Sequence, residues 1–191
     1  MIIGLDIDGV ILDTEREYKL EAELYDIKLG KNHLRDKSSQ IEDGRYSWTK
    51  EQREDFEKNW IKVARKAPLM PGSISIIKML QKEGHKIVII TGRDESYKKQ
   101  TEKTFEENNL KFSKIYYGQQ DSKLKACKEE NVDIMIDDNY NHAEELSQNK
   151  ILTLYFRDTN MRKLDESKYL REVNNWGEVY KFIYNKNRKK E

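Results

Sequence analysis

The chain has 191 residues, of which 37% are charged, and its mean hydropathy is -0.98. This length suits one hydrophobic core with room for an insertion. Its apolar runs reach about seven residues, whereas a membrane-spanning helix needs roughly twenty, and the single Cys127 excludes an internal disulfide and fits a reducing compartment. The 36 basic and 35 acidic residues leave a net charge of +1, which indicates neither a nucleic-acid polymer nor a membrane as partner. Because no charged leader precedes the first apolar residues, we expect a cytoplasmic protein.

The first fourteen residues, MIIGLDIDGVILDT, predict a buried strand that ends in paired acids. Residues 1–5 are apolar on both faces, as is typical of a central parallel strand. Asp6, Asp8 and Gly9 follow at once, where the backbone can turn and bring both carboxylates around one point. Since α/β sheets bind ligands at the carboxyl ends of their central strands, we favour a site here over an ordinary surface turn.

Residues 15–67 predict a small helical insertion. A first helix is predicted over residues 15–29, where Leu20, Leu24 and Ile27 recur at helical spacing with acids and lysines between them. Because the insertion leaves directly from the acidic turn, we expect it to lie over that turn, and we call it the cap.

The rest of the cap is predicted to be a loop followed by a second helix. Residues 31–47 show no periodicity, which is typical of a loop. Thr49 and Gln52 have the spacing of a capping box and predict the start of a helix that runs to Lys66. Pro68 then ends the segment.

After the cap, helical and strand patterns alternate. Helices are predicted over residues 73–83, 94–108, 122–130 and 176–184, and strands over 86–90, 114–117, 133–136 and 151–156. Strands that alternate with helices imply right-handed crossovers and a parallel sheet covered on both faces. We therefore predict an α/β fold, a Rossmann-like doubly wound parallel sheet of about five strands in the order 3-2-1-4-5. Residues 1–14 and 68–191 are predicted to form this core.

Four polar signatures lie at or just after the ends of predicted strands. They are Asp6-x-Asp8, Thr91-Gly92-Arg93, Lys123 or Lys125, and Asp137-Asp138. Each signature alone is also typical of a turn or of solvated side chains. Because the carboxyl ends of parallel strands share one edge of a sheet, their order along the chain predicts that the four converge.

The chemistry open to such a set is narrow. Crowded carboxylates repel one another unless a cation offsets their charge, and oxygen ligands without His or Cys favour Mg²⁺ together with a phosphate. A carboxylate is a competent nucleophile, while a lysine, a threonine hydroxyl and a glycine N–H can hold the oxygens of a phosphoryl group. The set therefore indicates phosphoryl transfer through an aspartyl-phosphate, with Mg²⁺ as cofactor.

The segments Asp-Ile-Asp-Gly-Val, Ile-Thr-Gly-Arg, Lys and Ile-Asp-Asp resemble, in this order, the four motifs of the haloacid dehalogenase (HAD) superfamily of phosphohydrolases. The resemblance implies that Asp6 is the nucleophile and that Asp8 is the general acid and base. It also implies a lysine that steadies the nucleophile and the phosphate. Lys123 is the favoured assignment for that lysine, and Lys125, two positions away, is the alternative.

The same resemblance implies the phosphate and metal ligands. Thr91 matches the phosphate-binding hydroxyl, with Gly92 and Arg93 beside it in the substrate site. Asp138 matches a Mg²⁺ ligand, together with the nucleophile and the backbone carbonyl of the general acid. Asp137 lies in or next to this set of ligands.

The cap resembles that of the 5′(3′)-deoxyribonucleotidase-like branch of the superfamily in its length and in its Tyr46-Ser47-Trp48 segment. An aromatic side chain in an exposed loop can stack on a base, so Tyr46 and Trp48 are expected to bind substrate. The alternative interpretation is that their rings form the interior of the cap.

The favoured function is a Mg²⁺-dependent phosphomonoesterase acting on a small phosphorylated metabolite, with a nucleoside 5′-monophosphate as the first hypothesis. A sugar phosphomutase on the same scaffold is one alternative. A non-catalytic HAD-like binding module is another, and the intact Asp6, Asp8, Thr91 and Asp138 argue against it.

Overall fold

A parallel sheet of six strands is the framework of the protein. The structure is a computed structural model that describes residues 1–30, 32–36, 44–58, 60–157 and 164–188. Its strands are β1 (Ile2–Leu5), β2 (Lys86–Ile90), β3 (Lys114–Tyr116), β4 (Ile134–Asp137), β5 (Leu152–Phe156) and β6 (Leu170–Val173). They lie in the order β3-β2-β1-β4-β5-β6, and every neighbouring pair is parallel. The predicted α/β class is confirmed, while β6 is an additional strand that the sequence analysis missed.

Eight helices accompany the sheet in the described part of the chain. They are α1 (Thr14–Lys28), α2 (Lys50–Glu57), α3 (Trp60–Lys66), α4 (Ser73–Lys82), α5 (Lys98–Glu107), α6 (Leu124–Glu129), α7 (Tyr140–Gln148) and α8 (Trp176–Arg188). The predicted single helix from Thr49 to Lys66 is wrong, because α2 ends at Glu57 and a separate helix, α3, begins at Trp60. The predicted helix over 94–108 begins instead with a 3-10 turn, Glu95–Tyr97. None of these helices is long and apolar enough to cross a membrane.

The core fixes β1 at the centre of the sheet. Ile3 and Leu5 are fully buried, and β1 pairs with β2 on one side and β4 on the other. At the end of β1, the carbonyl of Val10 accepts a 2.8 Å hydrogen bond from Nε1 of the buried Trp176 in α8. The chain that follows β1 is thus held in place by the last helix of the core.

The cap joins the core through two adjacent segments. Leu12 and Leu69 pair in an antiparallel bridge, and the backbone N–H of Asp13 donates to the carbonyl of Pro68 at 2.8 Å. The predicted loop over residues 31–47 is described only at 32–36 and 44–47, where Leu34 and Tyr46 form a second antiparallel bridge. The predicted capping box of α2 is present, with Thr49 and Gln52 bonded to each other's backbone N–H.

The interior of the cap is aromatic. Tyr18 of α1 and Trp48 both pack on Phe56 of α2, with ring centroids 5.0 and 5.1 Å apart. Glu21 faces the same way and forms ion pairs of 2.7 and 2.8 Å with Lys62 and Lys66 of α3. These contacts join α1 to both other cap helices.

The predicted first helix is present as α1, and the aliphatic residues whose spacing predicted it lie on its exposed side. Leu20, Leu24 and Ile27 are exposed to 52%, 44% and 72% of their surface. The opposite side of α1 faces inward, because its Tyr18 and Glu21 have aromatic and ionic partners on the other two helices, whereas aliphatic side chains would leave those partners unpaired.

We predict that Phe56→Ala lowers the free energy of unfolding by roughly 3–5 kcal/mol, because it leaves a cavity inside the cap. Ile27→Ala is the control, and it should change this free energy by less than about 0.5 kcal/mol. Urea denaturation followed by tryptophan fluorescence measures both values. Equal losses in the two variants would show that the described orientation of α1 is incorrect.

Candidate active site

The turn after β1 brings the first acid to the edge of the sheet. Asp6 donates its backbone N–H to the carbonyl of Ile136 in β4 at 3.0 Å, so it still belongs to the sheet ladder. Gly9 then adopts a φ of +68°, which side chains other than hydrogen disfavour. Its N–H donates to the hydroxyl of Thr14 at 2.9 Å. The strand end, the turn and the start of α1 are therefore locked together.

Lys123 is the centre of the site. Its side chain is fully buried just before α6, and its Nζ donates to Asp6 Oδ2 at 2.6 Å and to Asp137 Oδ2 at 2.7 Å. Lys125 is the second residue of α6 and is exposed. The structure thus brings Lys123, and not Lys125, to the carboxylates.

The charge of Lys123 is retained despite its burial. Desolvation lowers the pKa of a buried ammonium, but Asp137 and Asp6 outweigh that effect and hold the pKa of Lys123 above its usual value. A buried charge is tolerated only when it is paired and hydrogen-bonded in this way.

Three carboxylates meet beside this lysine. Asp6, Asp137 and Asp138 each place one oxygen within 4.8 Å of the others, a geometry that can hold a metal ion. Burial raises the pKa of Asp6 from 3.8 to about 6, with further increases from Asp137 and Asp8 and an opposing effect of Lys123. Burial and the two neighbouring acids also raise the pKa of Asp138 well above its usual value. The donor set, all oxygen and short of positive charge, fits a hard divalent cation.

A close approach at Gly9 supports this set of ligands. A Cβ placed at Gly9 would lie 1.9 Å from Oδ2 of Asp138, far inside van der Waals contact. The carboxylate of Asp138 therefore occupies its position only because residue 9 has no side chain.

Asp8 is held by Arg93. The guanidinium donates from Nε to Asp8 Oδ2 at 2.8 Å and from Nη2 to Oδ1 at 2.7 Å. Arg93 is 4% exposed, and its Nη1 donates to the hydroxyl of the buried Thr101 at 3.2 Å. The sequence predicts Arg93 as a substrate-binding residue, and in the structure it is paired with the predicted general acid.

Thr91 and Gly92 lie at the end of β2, next to these acids along the same edge. Thr91 is fully buried, and its hydroxyl accepts a 3.2 Å hydrogen bond from the N–H of Arg93. A Cβ at Gly92 would lie 2.4 Å from Oε1 of Gln120. Gln120 therefore lies directly over the predicted phosphate-binding turn.

His142 and Gln120 are site residues that the sequence analysis missed. His142 Nδ1 lies 3.8 Å from Asp137 Oδ2, and its Nε2 lies 2.9 Å from the carbonyl oxygen of Gln120. Burial lowers the pKa of His142, but Asp137 outweighs it and the net shift is upward. The sequence feature that could have indicated His142 is Asn139, a typical helix N-cap residue. Its side chain caps α7 by accepting a hydrogen bond from the N–H of His142.

Tyr46 and Trp48 lie in the interior of the cap. Each is 2% exposed, and their rings stack with centroids 4.3 Å apart and planes 9° apart. Trp48 Nε1 also donates to the buried carboxylate of Asp26 at 2.7 Å. The expectation that both rings lie in an exposed loop is therefore wrong, and the alternative interpretation, in which they form the interior of the cap, agrees with their packing.

A family model described as "HAD superfamily, subfamily IIIB (Acid phosphatase)" matches residues 1–143. Over 185 residues, the chain is 24% identical to a protein of Halalkalibacterium halodurans named "Putative nucleotidase BH1399", and the match covers 94% of this chain and 91% of that protein.

Solved structures share the fold. The haloacid dehalogenase-like hydrolase SP0104 from Streptococcus pneumoniae has a TM-score of 0.70 at 18% identity, covering 95% of this chain and 97% of that one. The "putative HAD-hydrolase YfnB" from Bacillus subtilis, described as bound to magnesium, has a TM-score of 0.61 at 13% identity, covering 96% and 98%.

We predict that Gly9→Ala destabilises the protein more than Gly30→Ala does. Both positions have a positive φ, +68° and +73°, so both variants should lose roughly 1–2 kcal/mol from backbone strain. At Gly30 a Cβ would meet nothing within 4 Å, while at Gly9 it would collide with Asp138. Urea denaturation measures the difference, and equal losses would contradict the described position of Asp138.

Proposed function

Because the chain belongs to the HAD superfamily, subfamily IIIB (acid phosphatase), we propose that it is a Mg²⁺-dependent phosphomonoesterase. Its substrate is a small phosphorylated metabolite, and the reaction passes through an aspartyl-phosphate on Asp6. The observation that carries this proposal is the buried Lys123, which donates to Asp6 at 2.6 Å and to Asp137 at 2.7 Å inside a cluster of acids.

Asp6 is oriented for attack by two donors. Its Oδ1 accepts from the N–H of Ile7 at 2.6 Å, and its Oδ2 accepts from Lys123. In the first step a carboxylate oxygen of Asp6 bonds to phosphorus and the ester P–O bond breaks. The leaving oxygen takes a proton from the carboxyl group of Asp8, which is the general acid of this step.

The second step returns the enzyme to its starting state. A water molecule attacks phosphorus, the bond between phosphorus and Asp6 breaks, and Asp8 takes the proton of that water. Through both steps the non-bridging oxygens carry developing charge, which Lys123, the hydroxyl of Thr91 and the N–H of Gly92 stabilise.

The acids at the edge of the sheet would hold the Mg²⁺. Asp6, Asp138 and the backbone carbonyl of Asp8 are the proposed ligands, with Asp137 tied to Lys123 beside them. A bound ion would offset the mutual repulsion of these carboxylates and would supply positive charge to the phosphate oxygens.

A nucleoside 5′-monophosphate is the proposed substrate. It is supported by the nucleotidase name of the relative that matches 94% of this chain. Tyr46 and Trp48 give it no support, because both rings are buried in the cap. A phosphomutase would return the phosphoryl group to a second substrate oxygen, so the release of inorganic phosphate separates it from a phosphatase.

A panel of phosphomonoesters tests the proposal. Purified protein with Mg²⁺ should release inorganic phosphate from p-nitrophenyl phosphate and, with the highest kcat/KM, from nucleoside 5′-monophosphates rather than sugar phosphates. The matched control is Asp6→Asn, prepared in parallel, which should release none. No release by the wild-type protein from any ester would refute the proposal, and a preference for sugar phosphates would refute only the substrate.

We predict that EDTA abolishes hydrolysis, that Mg²⁺ restores it, and that the Mg²⁺ requirement rises at acid pH. The pKa of Asp6 is raised from 3.8 to about 6. At a pH between these two values, Asp6 therefore holds a proton in the metal-free folded protein that it has already released in the unfolded chain. Between these two pKa values, this group's contribution to stability falls as pH rises. Mg²⁺ binds the ionised form and competes with that proton.

Thermal unfolding with EDTA and with Mg²⁺ measures this competition. Mg²⁺ should raise Tm more at about pH 8 than at about pH 5, because Asp6 is ionised only at the higher pH. Asp138→Asn should weaken the response at both values. An equal rise in Tm at the two pH values, or full hydrolysis in EDTA, would contradict the proposed ligands.

We predict that Lys123→Met abolishes activity, while Lys125→Met keeps it within about threefold of wild type. Loss of Lys123 leaves two buried carboxylates without their cation, a change that typically costs 3–5 kcal/mol. Lys125 is exposed, so its variant is the matched control for loss of a positive charge from the same segment. Activity in Lys123→Met that matches Lys125→Met would remove the lysine from the mechanism.

A further inference from the structure

The ion pair between Arg93 and Asp8 determines how the carboxylate of Asp8, the proposed general acid, is oriented. Both carboxylate oxygens of Asp8 accept from one guanidinium, at 2.8 and 2.7 Å. A planar guanidinium that matches a carboxylate with two parallel bonds fixes the plane of that carboxylate as well as its position. The orientation of Asp8 is therefore set by Arg93.

Arg93 is itself fixed from three sides. Its N–H donates to the hydroxyl of Thr91 at 3.2 Å, and its carbonyl accepts from the N–H of Gly118 at 2.8 Å. Its Nη1 donates to Thr101 of α5 at 3.2 Å. With the side chain 1% exposed, the guanidinium is held rigidly and points toward Asp8.

We infer that Arg93 is a positioning residue, which orients Asp8 for proton transfer and does not bind the phosphoryl group. This inference rests on the proposed phosphatase function. The three guanidinium nitrogens named above donate to Asp8 and Thr101, in contrast to the substrate contact that the sequence predicts.

In the proposed mechanism Asp8 gives its proton to the leaving oxygen as the ester P–O bond breaks, and it takes the proton of the attacking water in the second step. Because both oxygens of Asp8 are bonded to Arg93, a change at Arg93 alters the position of the group that carries out both proton transfers.

The test compares esters whose leaving groups differ in basicity. The value of kcat/KM reports the step in which the leaving group departs, and p-nitrophenolate departs without help from an acid, whereas the alkoxide of an alkyl phosphate needs its proton. Arg93→Gln should lower kcat/KM for an alkyl phosphate at least about tenfold more than for p-nitrophenyl phosphate. The inhibition constant of inorganic phosphate should stay within about threefold of wild type.

A double mutant gives a second readout that lost structure alone would not produce. Because Arg93 acts through Asp8, adding Arg93→Gln to Asp8→Asn should cause almost no further fall in the rate of the single p-nitrophenolate burst that Asp8→Asn retains. Arg93→Lys, which keeps the charge and one donor, should recover part of the alkyl phosphate activity. Should Arg93→Gln fail to fold, Arg93→Lys and Thr101→Val make the same comparison with milder changes.

Two outcomes overturn the inference. Equal losses of kcat/KM on both esters in Arg93→Gln, or a rise in its inhibition constant of phosphate beyond about threefold, would show that Arg93 binds the phosphoryl group. Both outcomes presuppose an active wild-type protein. A wild-type protein that hydrolyses neither ester refutes the phosphatase function itself, which is a separate result.

Discussion

The ammonium of Lys123, buried between Asp6 and Asp137 at 2.6 and 2.7 Å, is the interaction on which the site depends. Removing such charges from water costs several kcal/mol for each ion, and only close pairing offsets that cost. The pairing in turn requires that the ends of β1 and β4 and the start of α6 meet at one point. The parallel sheet meets this requirement because β1 and β4 are direct neighbours.

One lysine does not neutralise the site. Asp138 lies beside the pair, and the pKa values of Asp6 and Asp138 are both raised, which means that the protein would hold protons there or bind a cation. The same shortage of positive charge therefore supports the proposed metal site and the proposed binding of a phosphate together with its cation. The excess of carboxylates over cations at this edge of the sheet is thus the physical basis of the proposed catalytic site.

The fold of the core could be predicted because strands β1, β2, β4 and β5 are largely apolar on both faces, a pattern that needs no knowledge of distant partners. The buried side of α1 could not be predicted in this way, because the aliphatic residues that recur at helical spacing lie on its exposed face. The interior face carries Tyr18, Glu21 and Asp26 instead, whose partners lie elsewhere in the cap. Strand β6 and helix α7 lie outside every predicted element.

Long-range pairing limited the prediction of the site in the same way. The motifs identify the acids, but the partner of Asp8 is Arg93, 85 positions away along the chain. Spacing could not choose between Lys123 and Lys125, whereas the burial of the first and the exposure of the second do. Composition and periodicity indicate which interactions a side chain can make. The tertiary fold determines which partner it makes them with.

The central claim, that Asp6 next to Lys123 accepts the phosphoryl group, has one direct measurement. Asp8→Asn keeps the nucleophile but removes the base that hydrolyses the aspartyl-phosphate, so with p-nitrophenyl phosphate it should release one p-nitrophenolate per protein and then stop. Acid quench, borohydride reduction and peptide mass spectrometry should then find residue 6 converted to homoserine. A stoichiometric burst with the modification at another residue, or steady hydrolysis without any covalent phosphate, would contradict the account.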